Sequence, residues 1–331
     1  MVLEEFLKEW NNASDQVLVH TSGSTGKPKP MWVDKRRMME SARITCDFLG
    51  LKAGDTALLC LPLDYIAGKM MVVRSLIRGM KLIDVKPDGH PMRALPDGEQ
   101  PVSFAAMVPM QVYNSLQTAE ERDSLMQIGH LIIGGGAVDD ALAAELKDFP
   151  NHVWSTYGMT ETLSHIALRR LNGVDASEWY VPFPSVDVSL DKEECLVIDA
   201  PGVCATRLIT NDIAEIAPDG RRFRILGRKD NVICSGGIKI QAEKVEQILS
   251  PYVRVPYIIC RRKNEKFGEV AVLLLENGDV EEVRKICKGV LPKYWQPHDY
   301  VSINRIPMTE TGKPARKLAE QMLTEMNSSL L

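Results

Sequence analysis

Thr21-Ser22-Gly23-Ser24-Thr25-Gly26-Lys27-Pro28-Lys29 follows Gln16-Val17-Leu18-Val19-His20, a β-branched apolar run that predicts a short buried strand. Gly23 and Gly26 let the backbone approach a ligand closely. Thr21, Ser22, Ser24 and Thr25 offer hydroxyl donors, and Lys27 and Lys29 offer positive charge. Bare backbone, small donors and lysines after a strand make a cradle for phosphate. It is not a Walker A loop: two residues separate Gly23 from Gly26, and Pro28 stands where that motif needs Ser or Thr. A Ser/Gly-rich surface turn is the plain alternative, and the rest of the chain decides between them.

At 331 residues the chain is long enough for two domains with a real core. Its formal net charge of −4 argues against a nucleic-acid scaffold, and no polybasic run seeks a membrane. The seven cysteines are an odd number with no Cys-x-x-Cys pair, and Cys60 and Cys260 sit in apolar runs. They read as reduced core thiols, without a zinc site or a disulfide framework. No apolar stretch reaches membrane-spanning length, and residues 1–12 are acidic with no signal-peptide pattern. A soluble, cytoplasmic protein is expected, with no membrane insertion and no nucleic-acid partner.

Residues 3–10 predict a short amphipathic helix; Asp34 predicts the N-cap of a helix to Leu49, with Gly50 as its stop. Strands are predicted at 56–61, 81–85, 104–108, 131–133 and 153–156, alternating with helices at 65–78, 112–126 and 139–146. Short apolar strands between longer helices imply an α/β fold with a mostly parallel sheet covered on both faces. Ligands in such sheets sit beyond the carboxyl ends of strands, which places them at the loops 21–29, 134–137 and 157–162. From about Trp179 short strands predict a β-rich subdomain at 186–190, 195–198, 207–209, 213–216 and 223–226. Beyond Asp230 an α+β tail is predicted, with helices at 242–249, 281–290 and 314–326 and strands near 255–260, 269–275 and 299–303.

Four further stretches carry chemistry. Trp154-Ser155-Thr156-Tyr157-Gly158-Met159-Thr160-Glu161-Thr162 sends a strand into a glycine turn that presents an aromatic face, a hydroxyl and a carboxylate together. Gly134-Gly135-Gly136-Ala137 offers a loop without side chains to obstruct a flat group. Gly227-Arg228-Lys229-Asp230-Asn231-Val232-Ile233-Cys234-Ser235-Gly236-Gly237 falls at the change of texture, and Pro307-Met308-Thr309-Glu310-Thr311-Gly312-Lys313-Pro314-Ala315-Arg316-Lys317-Leu318 closes the tail.

Together, spread along the chain from residue 21 to 318, these motifs resemble those of the adenylate-forming superfamily of acyl-CoA synthetases, adenylation domains and luciferases. The resemblance implies a large N-terminal domain, residues 1–228, that binds ATP and the acid, with its β-rich part at about 179–228. It implies a small mobile α+β C-terminal domain, residues 229–331, that turns about Asp230. It assigns Thr21 through Lys27 to phosphate, Gly135, Gly136 and Ala137 to the nucleotide and acyl pocket, Tyr157 and Gly158 to adenine, and Thr160 to the α-phosphate. Glu161 would hold Mg²⁺, Arg228 would reach ribose or phosphate, and Lys313 would bridge the acid and the α-phosphate. Asp212 would bind the ribose hydroxyls from a turn, Thr210-Asn211-Asp212, where Asn211 replaces the usual glycine and tolerates positive φ. Ala242 and Lys244 depart from the usual proline and glutamate, which implies tuning of a helix start.

The implied reaction uses ATP, Mg²⁺ and CoA: a carboxylate displaces pyrophosphate, and a thiol then displaces AMP. Leu61-Pro62-Leu63-Asp64-Tyr65-Ile66-Ala67-Gly68 parallels a substrate segment, with Tyr65 in place of histidine, and Arg74 interrupts the apolar run after it. That arginine, and Ser235-Gly236-Gly237 with Ile240-Gln241, resemble the o-succinylbenzoate–CoA ligases of menaquinone synthesis, whose substrate carries a second carboxylate. Another aryl- or acyl-CoA ligase and a truncated non-catalytic nucleotide-binding relative are the alternatives; a solvated helix face shared with Arg78 is the alternative for Arg74. Only 20 residues precede Thr21 where the family carries a large further part, so a short N-terminus is expected, its surface bare or closed in a homo-oligomer.

Overall fold

Consecutive apolar residues in a short strand leave no solvent face, as in Ala57-Leu58-Leu59, Phe104–Met107 and Leu131-Ile132-Ile133 at the centre of the large sheet. The computed structural model describes residues 1–20, 30–96, 98, 101–309 and 314–328. One compact unit comprises Met1–Ser189, Val197–Leu208 and Ile216–Arg224; a second comprises Leu190–Leu196, Ile209–Glu215 and Ile225–Leu331. In chain order the first carries α1 (Leu3–Trp10), β1 (Gln16–His20), β2 (Pro30–Asp34), α2 (Lys35–Leu49), β3 (Thr56–Leu59), α3 (Ile66–Arg78) and β4 (Lys81–Asp84). It continues with β5 (Phe104–Met107), α4 (Pro109–Leu116), α5 (Ala119–Met126), β6 (His130–Ile133), α6 (Asp140–Leu146), β7 (His152–Gly158), β8 (His165–Arg170) and β9 (Val181–Pro182).

Strands β4-β3-β5-β6-β7 pair in parallel, and β8 and β9 add antiparallel strands at the β7 side of this seven-stranded sheet. Leu58, Ala105, Met107, Leu131 and Ile133 face a core shared with Val112, Leu116, Leu125, Leu142 and Leu146 of the helices. The alternate residues Ala57, Leu59, Phe104 and Ile132 are buried as well. Both faces are therefore covered, as the unbroken apolar runs require. Asp34 caps α2 through Oδ1, which accepts from the Arg36 and Arg37 amides at 2.8 and 3.2 Å, and the helix ends at Gly50. The single helix expected over 112–126 is two: Thr118 turns extended and its Oγ1 donates to Glu121 at 3.1 Å. Glu121 is drawn inside by Arg93 and His90, 2.6 and 3.0 Å away, and that contact breaks the helix.

Strands β10 (Asp187–Leu190), β11 (Cys195–Asp199), β12 (Leu208–Ile216) and β13 (Phe223–Arg228) form a four-stranded sheet in that order. The two strands expected at 207–209 and 213–216 are one continuous strand, β12. In the second unit follow β14 (Val232–Ser235), β15 (Ile238–Gln241), α7 (Ala242–Leu249), β16 (Tyr257–Asn264), β17 (Gly268–Glu276), α8 (Val280–Val290), β18 (Asp299–Ile303) and α9 (Arg316–Ser328). Strand β17 is central, antiparallel to β16 and β14 and parallel to β18. Its Ala271, Leu273 and Leu275 pack with Val245, Leu249, Val283 and Cys287, while Val270, Val272 and Leu274 pack with Ala319 and Leu323. Six of the seven cysteines are buried; Cys234 is exposed. No helix is long and apolar enough to cross a membrane among the described residues.

Helix α1 is tied to the first unit by one carboxylate. Glu9 Oε2 accepts from Lys69 Nζ of α3 at 2.9 Å, and Oε1 accepts from the Leu18 amide of β1 at 3.1 Å. Lys69 is only 1% exposed, and its ammonium lies 4.9 Å from the ring of the fully buried Phe6. Glu9→Ala strands that charge and is expected to cost roughly 3 kcal/mol, read as a lower urea midpoint at unchanged slope. Adding Lys69→Met removes the stranded charge and should restore most of the midpoint.

Candidate active site

Because β6 and β7 are parallel neighbours, from His130 opposite His152 to Ile133 opposite Ser155, their carboxyl ends emerge side by side. The loops 134–137 and 157–162 leave the sheet there. A Cβ at Gly134 would lie 2.4 Å from Thr156 Oγ1, so any larger residue there forces the Thr156 hydroxyl to move. A Cβ at Gly158 would lie 2.3 Å from the Ser164 carbonyl oxygen and 2.4 Å from His165 Cα, where the β7–β8 register shifts. Gly158 is thus demanded by the strand that returns across it. Gly135 and Ala137 are exposed and Gly136 is half-buried.

Between these strands Thr160-Glu161-Thr162 forms one tight 3₁₀ turn, with Thr160 buried and Glu161 exposed. Thr162 Oγ1 accepts from the Met159 amide at 3.0 Å and lies 2.7 Å from the Ser164 carbonyl oxygen. Leu163 follows at φ 66°, a strained conformation for leucine that the turn enforces. Tyr157 is half-buried, its ring edge-on to Phe223 at 5.2 Å and tilted against Tyr180 at 5.9 Å. Tyr180 in turn stacks on Phe223, and its hydroxyl is 2.8 Å from Ser155 Oγ. The Tyr157 ring therefore has little freedom to turn.

Tyr65 is the N-cap residue of α3 and bridges to His20, the last residue of β1. About two and a half turns further on, Arg74 is 1% exposed, so it does not share a solvated face with Arg78, which pairs with Asp47. Arg74 Nη2 donates to Ser164 Oγ, Nη1 reaches Met71 Sδ at 3.8 Å, and Nε has no partner among the described residues. Burial lowers its pKa to about 10. His165, next to Ser164, is 7% exposed; its Nδ1 is 3.2 Å from Ser164 Oγ and its Nε2 3.1 Å from Thr45 Oγ1. Burial, and then the Arg74 charge, push His165 well below the ordinary imidazole range. Sequence reasoning missed Ser164, His165 and Thr45; a serine–histidine pair heading the apolar Ile166-Ala167-Leu168 was the available signal.

In the second unit Arg228 Nη1 donates to Asp212 Oδ1 at 3.1 Å and Nη2 to Asp230 Oδ2 at 3.2 Å. Those three expected residues meet. The turn expected at Thr210-Asn211-Asp212 is absent, because all three lie inside β12 and the extended Asn211 needs no positive φ. Gly236 and Gly237, at φ 56° and 86°, close the β14–β15 hairpin, as a two-residue turn of this hand requires. Thr21, Ser22, Gly23, Ser24, Thr25, Gly26, Lys27, Lys29 and Lys313 lie outside the described residues.

Among the described residues no group of three or more His, Cys, Asp or Glu could hold a metal ion. Glu161, an exposed carboxylate on the turn that leaves β7, fits Mg²⁺, which takes one or two carboxylates and completes its shell with phosphate and water.

Residues 5–206 match the AMP-binding enzyme family. A 2-succinylbenzoate–CoA ligase of Bacillus thuringiensis subsp. konkukian is 25% identical over 96% of this chain and 72% of its own length. The structure of an acyl-CoA synthetase (AMP-forming)/AMP-acid ligase II-like protein from Dyadobacter fermentans is 33% identical, with a TM-score of 0.65 over 96% of this chain and 93% of that one. O-succinylbenzoate coenzyme A synthetase from Bacillus subtilis, in complex with ATP and magnesium ion, shares the fold at TM-score 0.76 and 23% identity, over 91% of this chain and 68% of that one.

The buried imidazole makes stability depend on pH. His165 stays neutral when folded and takes up a proton near pH 6.5 when unfolded, so below that value the unfolded chain binds more protons. Stability should fall as the pH drops below about 6.5, by up to about 1.4 kcal/mol per pH unit from this group. His165→Gln should remove that increment, measured as the difference between urea midpoints at about pH 7 and about pH 5.5.

Proposed function

The chain belongs to the AMP-binding enzyme family, and from that membership we propose that it joins a dicarboxylic acid, o-succinylbenzoate of menaquinone synthesis, to coenzyme A through an acyl-adenylate. The observation that carries the choice of acid is Arg74. A guanidinium buried to this degree costs several kcal/mol unless an anion faces it, yet among the described residues its hydrogen-bond partners are a hydroxyl and a thioether. A substrate carboxylate would supply the charge and a partner for Nε. The 2-succinylbenzoate–CoA ligases that align with nearly the whole chain support the same acid.

In this reading the acid's other carboxylate attacks the α-phosphate of ATP and pyrophosphate leaves; the CoA thiol then attacks the acyl carbon and AMP leaves. Tyr157, fixed by Tyr180 and Phe223, offers its ring to adenine. Thr160 donates to the α-phosphate, and Gly135, Gly136 and Ala137 leave room for the nucleotide. Glu161 would hold Mg²⁺, whose charge offsets that of the phosphates. Thr21 through Lys27 cradle the phosphates, and Asp212 and Arg228 take the ribose. Lys313 stabilises the charge that develops as the acid meets phosphorus. We divide the roles between residues 1–228, which bind ATP and acid, and residues 229–331, which turn about Asp230 between the two half-reactions.

Two measurements test this. Incubation with ATP, Mg²⁺ and o-succinylbenzoate should release pyrophosphate, and adding CoA should give the thioester. Arg74→Lys should lose much of kcat/KM on this acid and Arg74→Ala nearly all, because only the arginine fork fits a carboxylate with two donors; equal losses on benzoate would make Arg74 structural. Lys313→Ala should abolish pyrophosphate release yet leave thioester formation from supplied acyl-adenylate largely intact, and equal loss of both would refute the division of labour.

A further inference from the structure

Proton counting orders the groups behind Arg74. Thr45 Oγ1 has one proton and gives it to the Ser41 carbonyl oxygen, 3.1 Å away. Toward His165 Nε2, at 3.1 Å, it can then only accept, so Nε2 carries the imidazole proton. The ring is neutral in this site, which leaves Nδ1 a bare acceptor. Ser164 Oγ accepts from Arg74 Nη2 and therefore donates its own proton to Nδ1 at 3.2 Å. In this arrangement each group from Arg74 through Ser164, His165 and Thr45 to Ser41 donates to the next.

We infer that Ser164 and His165 are positioning residues that hold the Arg74 guanidinium in one orientation toward the acid through a one-way hydrogen-bond chain. The role rests on the proposed function, since it gives the orientation a substrate to serve. Among the described residues Arg74 Nε is unpartnered while Nη2 is engaged, so the chain fastens one donor and leaves others for a ligand. The chain joins three elements: Arg74 on α3, Ser164 and His165 at the start of β8, and Thr45 and Ser41 on α2. A hydroxyl that could rotate would let the guanidinium swing; the imidazole acceptor prevents that. An imidazolium would turn Ser164 around and place a second cation beside the first.

The test uses the full chain. In ¹⁵N spectra at neutral pH, His165 should show a neutral ring protonated at Nε2, and the Arg74 Nε–H resonance should be sharp. In His165→Leu and Ser164→Ala the Arg74 resonance should shift and broaden, and KM for o-succinylbenzoate should rise about tenfold, the weight of one charge-assisted hydrogen bond. KM for ATP should hold in both. His165→Gln, whose amide accepts at one end and donates at the other, should restore both the resonance and KM. A ring protonated at Nδ1 or doubly protonated, or an Arg74 resonance indifferent to His165→Leu, overturns the inference. Parallel rises in KM for acid and ATP overturn it as well, marking a structural role. If the wild type fails to adenylate o-succinylbenzoate while the two resonances behave as expected, the substrate assignment falls and the chain stands.

Discussion

A guanidinium shut away from water constrains everything packed around it. Arg74 lies on α3, where Met70, Met71, Val72 and Val73 are buried on either side of the helix. Its hydroxyl partner Ser164 is placed by the same turn that holds Glu161, because Thr162 Oγ1 ties Met159 to the Ser164 carbonyl. That turn exists only because β8 returns so close to β7 that Gly158 cannot carry a side chain. The turn at Thr160-Glu161-Thr162 and Arg74 are thus linked in one packed assembly within the first unit. Moving either requires moving the β7–β8 junction.

The alternation of short apolar strands and longer helices was enough to read a mostly parallel sheet, since strands buried on both faces have little choice of architecture. The capping aspartate Asp34 and the stop at Gly50 were equally legible, because they act within one turn of chain. What escaped was set by contacts between distant residues. The break between α4 and α5 follows from Glu121 being pulled toward Arg93 and His90, which no local pattern encodes. The restraint on Tyr157 comes from Tyr180 and Phe223, whose nearness depends on how strands pair. Asn211 invited a turn on the strength of its tolerance for positive φ, and strand pairing overrode that preference.

Helix α3 offers a control within the same structure. It buries two cations, Lys69 and Arg74, each about 1% exposed. Lys69 is answered within the protein: Glu9 lies 2.9 Å away, and the Phe6 ring face sits beneath the ammonium. A buried charge treated this way is structural, since its partner is permanent and its removal strands the other member. Arg74 is treated differently. Among the described residues it meets a hydroxyl, a thioether, a thiol and a neutral imidazole, none of which cancels its charge. The nearest candidate for a negative charge, Cys46, is itself pushed toward the neutral thiol by burial. The same fold therefore compensates one cation fully and leaves the other in deficit, five positions along one helix. A deficit of that kind persists at a functional site where an outside anion completes it, and that asymmetry, more than the burial of Arg74 alone, is what supports the proposal that its partner is the second carboxylate of an acid substrate.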